Sequence, residues 1–246
     1  MTTNPISGLT APVGTIGGMW MLHPEVLGPC REFGYPNGYA YYVAGRGGVL
    51  GDVEADVVSA AFGFFAPSLV AKMWTAGIAA EGARAAARRY GTACAEFGQS
   101  RLADFDGADR LAALADRVAS DVDAAGLSLF AGWRAEPRPT DAGALAFFCI
   151  HLLRELRGSA HLVAVLASGL SPRDAVLASG GTAHAELFGW RGPFPDVDPG
   201  RRAAAEELTD QYVERLYRSV LADDEIAELV HLVGRLETHL AEPTPD

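Results

Sequence analysis

The sequence is short of basic charge and almost lacks lysine. It has 20 basic residues against 31 acidic ones, for a formal net charge of −11, and Lys72 is its single lysine. This charge excludes a basic arm that holds a polyanion by bulk attraction, because such complexes depend on cations that neutralise phosphates. Hydrophobic residues make up 49% of the chain and charged residues 21%, a composition that excludes intrinsic disorder and fibrous rods.

Cysteines and long apolar runs are also scarce. The three cysteines, Cys30, Cys94 and Cys149, form no CxxC pair, so the sequence favours a reducing compartment, the cytoplasm, over a disulfide framework. Gly, Pro or a charged residue interrupts every apolar stretch before the roughly 18 residues that a membrane span needs. We therefore expect no membrane partner.

The usual motifs of metal and cofactor sites are missing as well. The six histidines include no HxxxH or HExxH pair, a spacing that puts two metal ligands on one helix face. The glycine-rich run 45–51 lacks both the preceding strand of a dinucleotide site and the Lys-Ser/Thr pair of a phosphate loop. The sequence therefore predicts neither a metal nor a cofactor.

Helical periodicity is dense, whereas alternation typical of strands is nearly absent. The predicted fold class is all-α, with two fused helical halves at residues 19–130 and 140–241. Small, turn-rich residues at 1–18 read as a flexible N-terminal arm. Trp133, Pro137 and Pro139 mark the boundary between the halves.

Two stretches read as helix, tight turn, helix. The first is residues 52–64 followed by 67–74, and the second is residues 160–168 followed by 171–179. Pro67 and the Ser171-Pro172 pair are typical helix starts. Their candidate reading helices offer few groups to DNA, chiefly Lys72 in the first unit and Arg173 in the second. The sequence therefore favours a ligand pocket over DNA binding, and leaves DNA binding open as an alternative.

The densest polar group in apolar surroundings lies at residues 151–161. If one helix runs through Gly158, then Arg154, Arg157 and His161 share a stripe, with His151 and Glu155 beside it. If Gly158 instead ends a helix, His161 lies in the first turn of the next one, where the helix dipole would lower the pKa of its imidazole. Both geometries bring two guanidinium groups, a carboxylate and an imidazole together.

This group predicts a pocket with acid/base chemistry. His161 and Glu155 are the candidate catalytic residues, as proton carrier and orienting carboxylate. Arg154 and Arg157 are candidate clamps for an anionic or carbonyl ligand, and His151, Tyr39 and Tyr42 are candidate ligand-binding residues. The alternative for each residue is structural, since a Glu–Arg pair can join helices and a histidine can belong to the core.

Residues 153–161 read LRELRGSAH. They resemble a family of actinobacterial helix-turn-helix proteins whose signature reads roughly L-R-E-H-R-G-D-G-H, and the resemblance extends from Pro24 to about Leu240. It implies an all-helical fold with winged-helix-like parts and carries Arg154, Glu155, Arg157, Gly158 and His161 over as site residues. Leu156, Ser159 and Ala160 depart from the signature, which leaves open whether this chain turns its ligand over.

The predicted function is therefore a small-molecule-binding protein, or an enzyme of specialised metabolism that uses the Arg/Glu/His pocket. The alternative is a helix-turn-helix transcription regulator with Lys72 and Arg173 on the reading helices and a basic edge, Arg84, Arg88 and Arg89, on phosphates. A third reading is a homodimer formed through apolar positions of the two closing helices, which are Leu208, Val213, Leu216, Val220, Ile226, Val230 and Val233.

Overall fold

The structure, a computed structural model, describes residues 6–241 apart from the side chain of Ser7. This range contains no strand, which confirms the all-α fold, and the units therefore carry no β-wing. Two short 3-10 segments lie at Gly28–Arg31 and Gly48–Leu50. The helices of this range are α1 (Ser7–Gly18), α2 (Pro24–Leu27), α3 (Gly38–Gly47), α4 (Ala55–Phe62), α5 (Pro67–Glu81), α6 (Ala83–Arg101), α7 (Ala108–Asp121), α8 (Ser128–Arg134), α9 (Ala142–Ala167), α10 (Pro172–Leu187), α11 (Pro199–Arg218) and α12 (Asp223–Ala241).

Helix α9 forms the axis of the molecule. Helices α1, α6, α7, α8 and α11 all pack against it, and most of its residues from Gly143 to Leu156 are buried. It begins where the side chain of Asp141 accepts a hydrogen bond from the Ala144 amide at 2.9 Å. The helix continues through Gly158, so the first of the two geometries predicted for residues 151–161 is the one that forms.

Residues 7–18, for which the sequence predicts a flexible arm, form helix α1. Its apolar side chains Leu9, Val13 and Ile16 are buried, and the helix packs against α9 and α12. A spacing of four and then three residues puts these side chains on one helix face. The remainder of the predicted arm, residues 1–5, lies outside the described residues.

One hydrophobic core contains residues from both predicted halves. Trp133, in the predicted boundary, lies on α8 and is fully buried. The predicted dimer stripe on the closing helices also belongs largely to this core, because Val213, Leu216, Ile226 and Val233 are buried. A homodimer stays a prediction, but these four side chains are already covered by the chain itself.

Both predicted helix-turn-helix units form. Helices α4 and α5 pack on each other across a four-residue turn that begins at Gly63, where φ is +62°. Helices α9 and α10 are joined by residues 168–171, where Gly169 has φ of +72°, and their axes bend by 107°. Within α10 the backbone leaves the helical conformation at Gly181, where φ is +71°, so that α10 consists of two helical segments on either side of a kink. Among the described residues no single helix is long and apolar enough to cross a membrane.

Candidate functional site

A buried cluster of three charges lies where α3 meets α9. Arg46 donates to both carboxylate oxygens of Glu155, from Nε to Oε1 at 3.0 Å and from Nη2 to Oε2 at 2.9 Å. Arg154 donates from Nη1 to Oε1 of the same carboxylate at 2.6 Å. Glu155 is fully buried, whereas the side chain of Arg154 is 28% exposed. One carboxylate therefore serves two guanidinium groups, and a single excess positive charge remains.

The charges of this cluster stabilise one another. Burial by itself would raise the pKa of Glu155, but Arg46 and Arg154 outweigh it and hold the pKa well below its usual range. Burial likewise opposes the charged form of Arg46, and Glu155 outweighs it, so the pKa of Arg46 lies above its ordinary value. Glu155 is consequently an ionised partner for arginines, with both oxygens occupied, instead of a free acid or base.

His161 lies one helical turn beyond Arg157 on α9 and faces α11. Its Nδ1 lies 2.8 Å from Oγ1 of Thr209, whose hydroxyl donates to the Ala205 carbonyl at 2.6 Å. Because a threonine hydroxyl has one proton to donate, the imidazole must donate here from Nδ1. Nε2 is left as the basic nitrogen, 3.8 Å from Glu206 Oε1.

The pKa of His161 is lowered, as the second sequence geometry expected, but for a different reason. Burial is the largest cause; Glu206 opposes it, and Arg157 and Arg202 add to it. No helix begins beside His161, so a helix dipole plays no part. The imidazole is neutral at neutral pH because it is desolvated and lies near two cations.

Arg157 connects α9 to α11 through ion pairs. Its Nη2 lies 3.0 Å from Glu206 Oε2 and 3.8 Å from Asp210 Oδ1. Its side chain is 21% exposed and does not line the large cavity described below. Arg157 therefore stabilises the contact between two helices, which is the structural alternative that the sequence left open.

His151 belongs to the core. It is fully buried, its ring lies edge-on to Trp133 and Trp20 at centroid distances of 4.5 and 5.1 Å, and its Nδ1 lies 3.3 Å from the Gly17 carbonyl. Burial lowers the pKa of His151 to about 4. The residue is thus a neutral core histidine that holds α1 against α9.

A cavity of about 630 Å³ opens beside the charged cluster. Of the predicted site residues, Arg154, His161 and Tyr42 line it, and Glu155 lies directly behind Arg154 and Arg46. Arg157, His151 and Tyr39 do not line it. The structure therefore brings together three of the seven predicted residues at one solvent-reachable surface.

Two arginines of this region were missed in the sequence analysis. Arg46 lines the cavity and binds Glu155, and Arg202 also lines it, donating from Nη1 to the Ala178 carbonyl at 3.2 Å. The signal for Arg46 was present, because it stands four residues after Tyr42 in an otherwise apolar helix, and Tyr42 accepts from its Nη1 at 3.1 Å. Arg202 carried no comparable signal, since its role depends on where α11 packs.

The predicted phosphate-binding edge on α6 is largely occupied by other contacts. Arg89 binds both oxygens of Glu81 at 2.7 and 2.9 Å, and Arg84 donates to the Val49 carbonyl at 2.9 Å. Arg88 accepts a hydrogen bond from the Thr92 hydroxyl at its backbone carbonyl, at 3.0 Å, and its charge helps to lower the pKa of Glu81. Among residues 6–241 the guanidinium of Arg88 has no hydrogen-bond acceptor, in contrast to those of Arg84 and Arg89.

The α9–α10 unit has arginines at its surface. Arg173, in the first turn of α10, pairs with its neighbour Asp174, with 3.3 Å between Nε and Oδ1. Arg201 on α11 donates to the Gly169 carbonyl in the turn, from Nη1 at 3.2 Å. With Arg202 on the Ala178 carbonyl, two successive arginines of α11 hold the turn and α10 in place.

Comparison with known proteins gives one family. A family model described as a helix-turn-helix family matches residues 8–194, a range that includes both units. No curated protein and no solved structure matches the chain.

The match overturns the first function predicted from the sequence, a small-molecule-binding protein or an enzyme of specialised metabolism that uses acid/base chemistry. It supports the alternative stated there, a DNA-binding regulator. The net charge of −11 disfavours DNA binding, whereas the family match and the two helix-turn-helix units favour it.

Proposed function

The chain belongs to a helix-turn-helix family, and on this premise we propose that it is a DNA-binding transcription regulator whose reading helix is α10. The bend between α9 and α10 is the observation that carries the assignment. Helix-turn-helix readers join two helices at about 90–120° through a turn of three or four residues that often contains glycine. The α9–α10 unit, with 107° and Gly169 in its turn, has this geometry.

The N-terminus of α10 is capped. Ser171 accepts a hydrogen bond from the Asp174 amide at 3.1 Å, and Pro172 occupies the first helical position. In known readers the N-terminal residues of the second helix contact base edges. Arg173, in this turn, is the side chain best suited to a base or a phosphate, because a guanidinium can donate two hydrogen bonds at once.

Local charge favours α10 over α5 as the reading helix. Residues 160–179 contain one arginine and one carboxylate, whereas residues 52–74 contain Lys72 and three carboxylates. On a chain of net charge −11, the neutral unit repels DNA less than the acidic one. Arg201, at the turn, is the second residue that we assign to a phosphate.

Three finer expectations belong with this proposal. Helix-turn-helix readers commonly bind as dimers, which agrees with the homodimer expected from the sequence. A regulator works where the chromosome is, which agrees with the expected cytoplasmic location. The likeness of residues 153–161 to an actinobacterial signature points to relatives in which the same unit can be compared.

The experiment is a selection from random-sequence DNA duplexes with the purified chain, followed by fluorescence anisotropy of the enriched duplex. We expect enrichment of one sequence, and an affinity that falls between about 50 and 200 mM salt as phosphate contacts are screened. Arg173→Ala should weaken binding at least tenfold and relax the selected sequence. Arg201→Ala should weaken binding to all duplexes and lower the salt slope by about one.

Matched controls separate this assignment from general electrostatics. Arg215→Ala removes the same charge from an exposed position nearer the end of α11 and should change binding less than twofold. Lys72→Ala tests the other unit. A larger loss with Lys72→Ala than with Arg173→Ala would move the reading helix to α5, and a failure to enrich any sequence at low salt would refute DNA binding.

A further inference from the structure

The cavity of about 630 Å³ reaches from the charged cluster to the inner face of α10. Its wall includes Arg154 and His161 of α9, and Ala175, Val176 and Ser179 of α10. Its volume lies within the range of about 300–1,000 Å³ that is usual for small-molecule sites. Met19 and Leu22, at 40% and 46% exposure, also line it, so the cavity opens to solvent past an apolar rim. Anything bound inside would contact the unit that we assign to DNA.

The polar side of this cavity is positively charged. Arg46, Arg154 and Arg202 line it together with one carboxylate, Glu206, and Glu155 behind them supplies the other negative charge. Three guanidinium groups thus face two carboxylates. The histidines that also line the cavity, His23, His161 and His184, cannot reverse this sign, because an imidazole is either neutral or positive.

Arg154 is the group with capacity for a ligand. Arg46 uses Nε and Nη2 on Glu155 and Nη1 on Tyr42, and Arg202 is shared between the Ala178 carbonyl and Glu206. Arg154 donates from one nitrogen, Nη1, to a carboxylate that Arg46 already occupies. A guanidinium has five N–H donors, so Arg154 can make a two-point contact with a carboxylate or sulfonate.

The remaining walls are aromatic and flat. Phe64 stacks on His161 with 5.6 Å between ring centroids and 25° between planes. Phe65 stacks on Phe188 at 4.5 Å and 25°, and Phe62 lies against Tyr42. All of these rings line the cavity. Because these rings are already paired with each other, a ligand can only pack against their free faces and edges, and a wall of this kind favours an aromatic, largely apolar ligand.

We propose that this cavity is a regulatory site for an aromatic molecule with one anionic group, held by Arg154, and that its occupancy orders α10. No reaction is part of this proposal, and the ligand leaves as it entered. The site couples to α10 because Ala175, Val176 and Ser179 form part of its wall. Calling the ligand an effector rests on the proposed DNA binding, whereas binding itself and the ordering of α10 do not.

The test compares two fluorescent probes that differ in charge. 8-Anilino-1-naphthalenesulfonate is an aromatic anion with a planar naphthalene ring system, and N-phenyl-1-naphthylamine is its neutral analogue without the sulfonate. We expect one sulfonate probe per chain, bound at least tenfold more tightly than the neutral probe. Arg154→Gln should remove this preference, because it should weaken binding of the sulfonate probe at least tenfold. Arg154→Lys, which keeps the positive charge, should retain most of the preference. Arg215→Gln, which removes an exposed charge on α11 outside the cavity, should leave both probes unchanged.

A second variant and a second measurement complete the test. Ser159→Trp places an indole in the cavity from a wall position on α9 and should block both probes, with circular dichroism showing that the helices remain. Hydrogen exchange of the α10 amides should slow at least threefold when the anion binds. Equal binding of both probes, an anion affinity unaffected by Arg154→Gln, or unchanged exchange in α10 would overturn the proposal.

The outcomes also separate this inference from the proposed function, because neither probe binding nor hydrogen exchange uses DNA. If the anion binds and orders α10 but no duplex is enriched, the site stands and DNA binding fails. If a duplex is enriched but the anion does not bind, the reverse holds.

Discussion

At the scale of single residues, two buried titratable side chains of α9 have opposite charge states. His151 and Glu155 are both fully buried and stand one turn apart. Glu155 keeps its charge because Arg46 and Arg154 contact it. His151 has aromatic rings around it and a carbonyl as its hydrogen-bond partner, and gives up its charge instead. The neighbours, and not the burial, decide which form is stable.

His151 makes the stability of the protein depend on pH. The unfolded chain takes up this proton near pH 6.5 and the folded chain only near pH 4. The unfolded state therefore binds more protons between these values, and the free energy of unfolding should fall by about 3 kcal/mol as pH falls from 6.5 to 4. Urea unfolding at a series of pH values measures this slope.

His151→Asn isolates this contribution, because the amide can still donate to the Gly17 carbonyl but does not titrate. We expect a shallower slope in the variant; part of the slope remains because His161 also has a lowered pKa. His231→Asn, at an exposed position, should keep the full slope. An unchanged slope in His151→Asn would show that the imidazole is charged in the core.

At the scale of elements, glycines set how closely the helices approach. A Cβ on Gly77 of α5 would lie 2.4 Å from the Ala40 carbonyl oxygen of α3, and one on Gly17 of α1 would lie 2.7 Å from Cβ of Arg154. Both distances are impossible without movement of a backbone. The backbones of these helices are therefore in close contact at Gly77 and at Gly17. These contacts fix the positions of α3 and α9, which form part of the cavity wall.

Two glycine substitutions should have opposite effects on stability. Gly77→Ala should destabilise the fold by about 1–3 kcal/mol, because the added methyl forces α3 and α5 apart. Gly158→Ala should instead stabilise it by up to about 1 kcal/mol, because its Cβ meets nothing within 4 Å and alanine favours the helix. Thermal unfolding of both variants checks the signs, and destabilisation by Gly158→Ala would contradict an unbroken α9.

The helix starts show how far local sequence reasoning reaches. Pro67 and the Ser171-Pro172 pair were predicted correctly, since a proline in the first turn and a capping serine act within a few residues. The sequence did not decide the role of Gly158, because a glycine in a helical pattern can either end the helix or lie within it. The buried surroundings of α9 decided that question, and they come from distant parts of the chain.

At the scale of the whole molecule, helix α1 joins the beginning of the chain to its last helix. It packs on both α9 and α12, and Gly17 and Trp20 lie against His151. The larger of two hydrophobic clusters among the described residues contains side chains from both predicted halves, and the smaller one joins α9, α10 and α11 through Val165, Ala175 and Ala205. We therefore expect the protein to unfold in one transition and not half by half.

Val13→Asp tests this cooperation. Burying a carboxylate between α1 and its neighbours should lower the free energy of unfolding by about 3 kcal/mol, and the entire transition should shift to lower temperature. Thr15→Asp, at an exposed position of the same helix, should shift it little. Calorimetry that resolved two transitions, with one unaffected by Val13→Asp, would show that the halves fold separately.

Local information in the sequence determined the helices, their starts, the two helix-turn-helix units and the lack of strands, because periodicity, caps and turns act over a few residues. Tertiary structure alone decided which charges meet. Arg46 reaches Glu155 across 109 positions of sequence, Arg157 turns to α11 instead of the cavity, and His151 enters the core. Such pairings depend on how whole helices pack, and packing is set by the combined shape of many side chains that no short stretch of sequence contains.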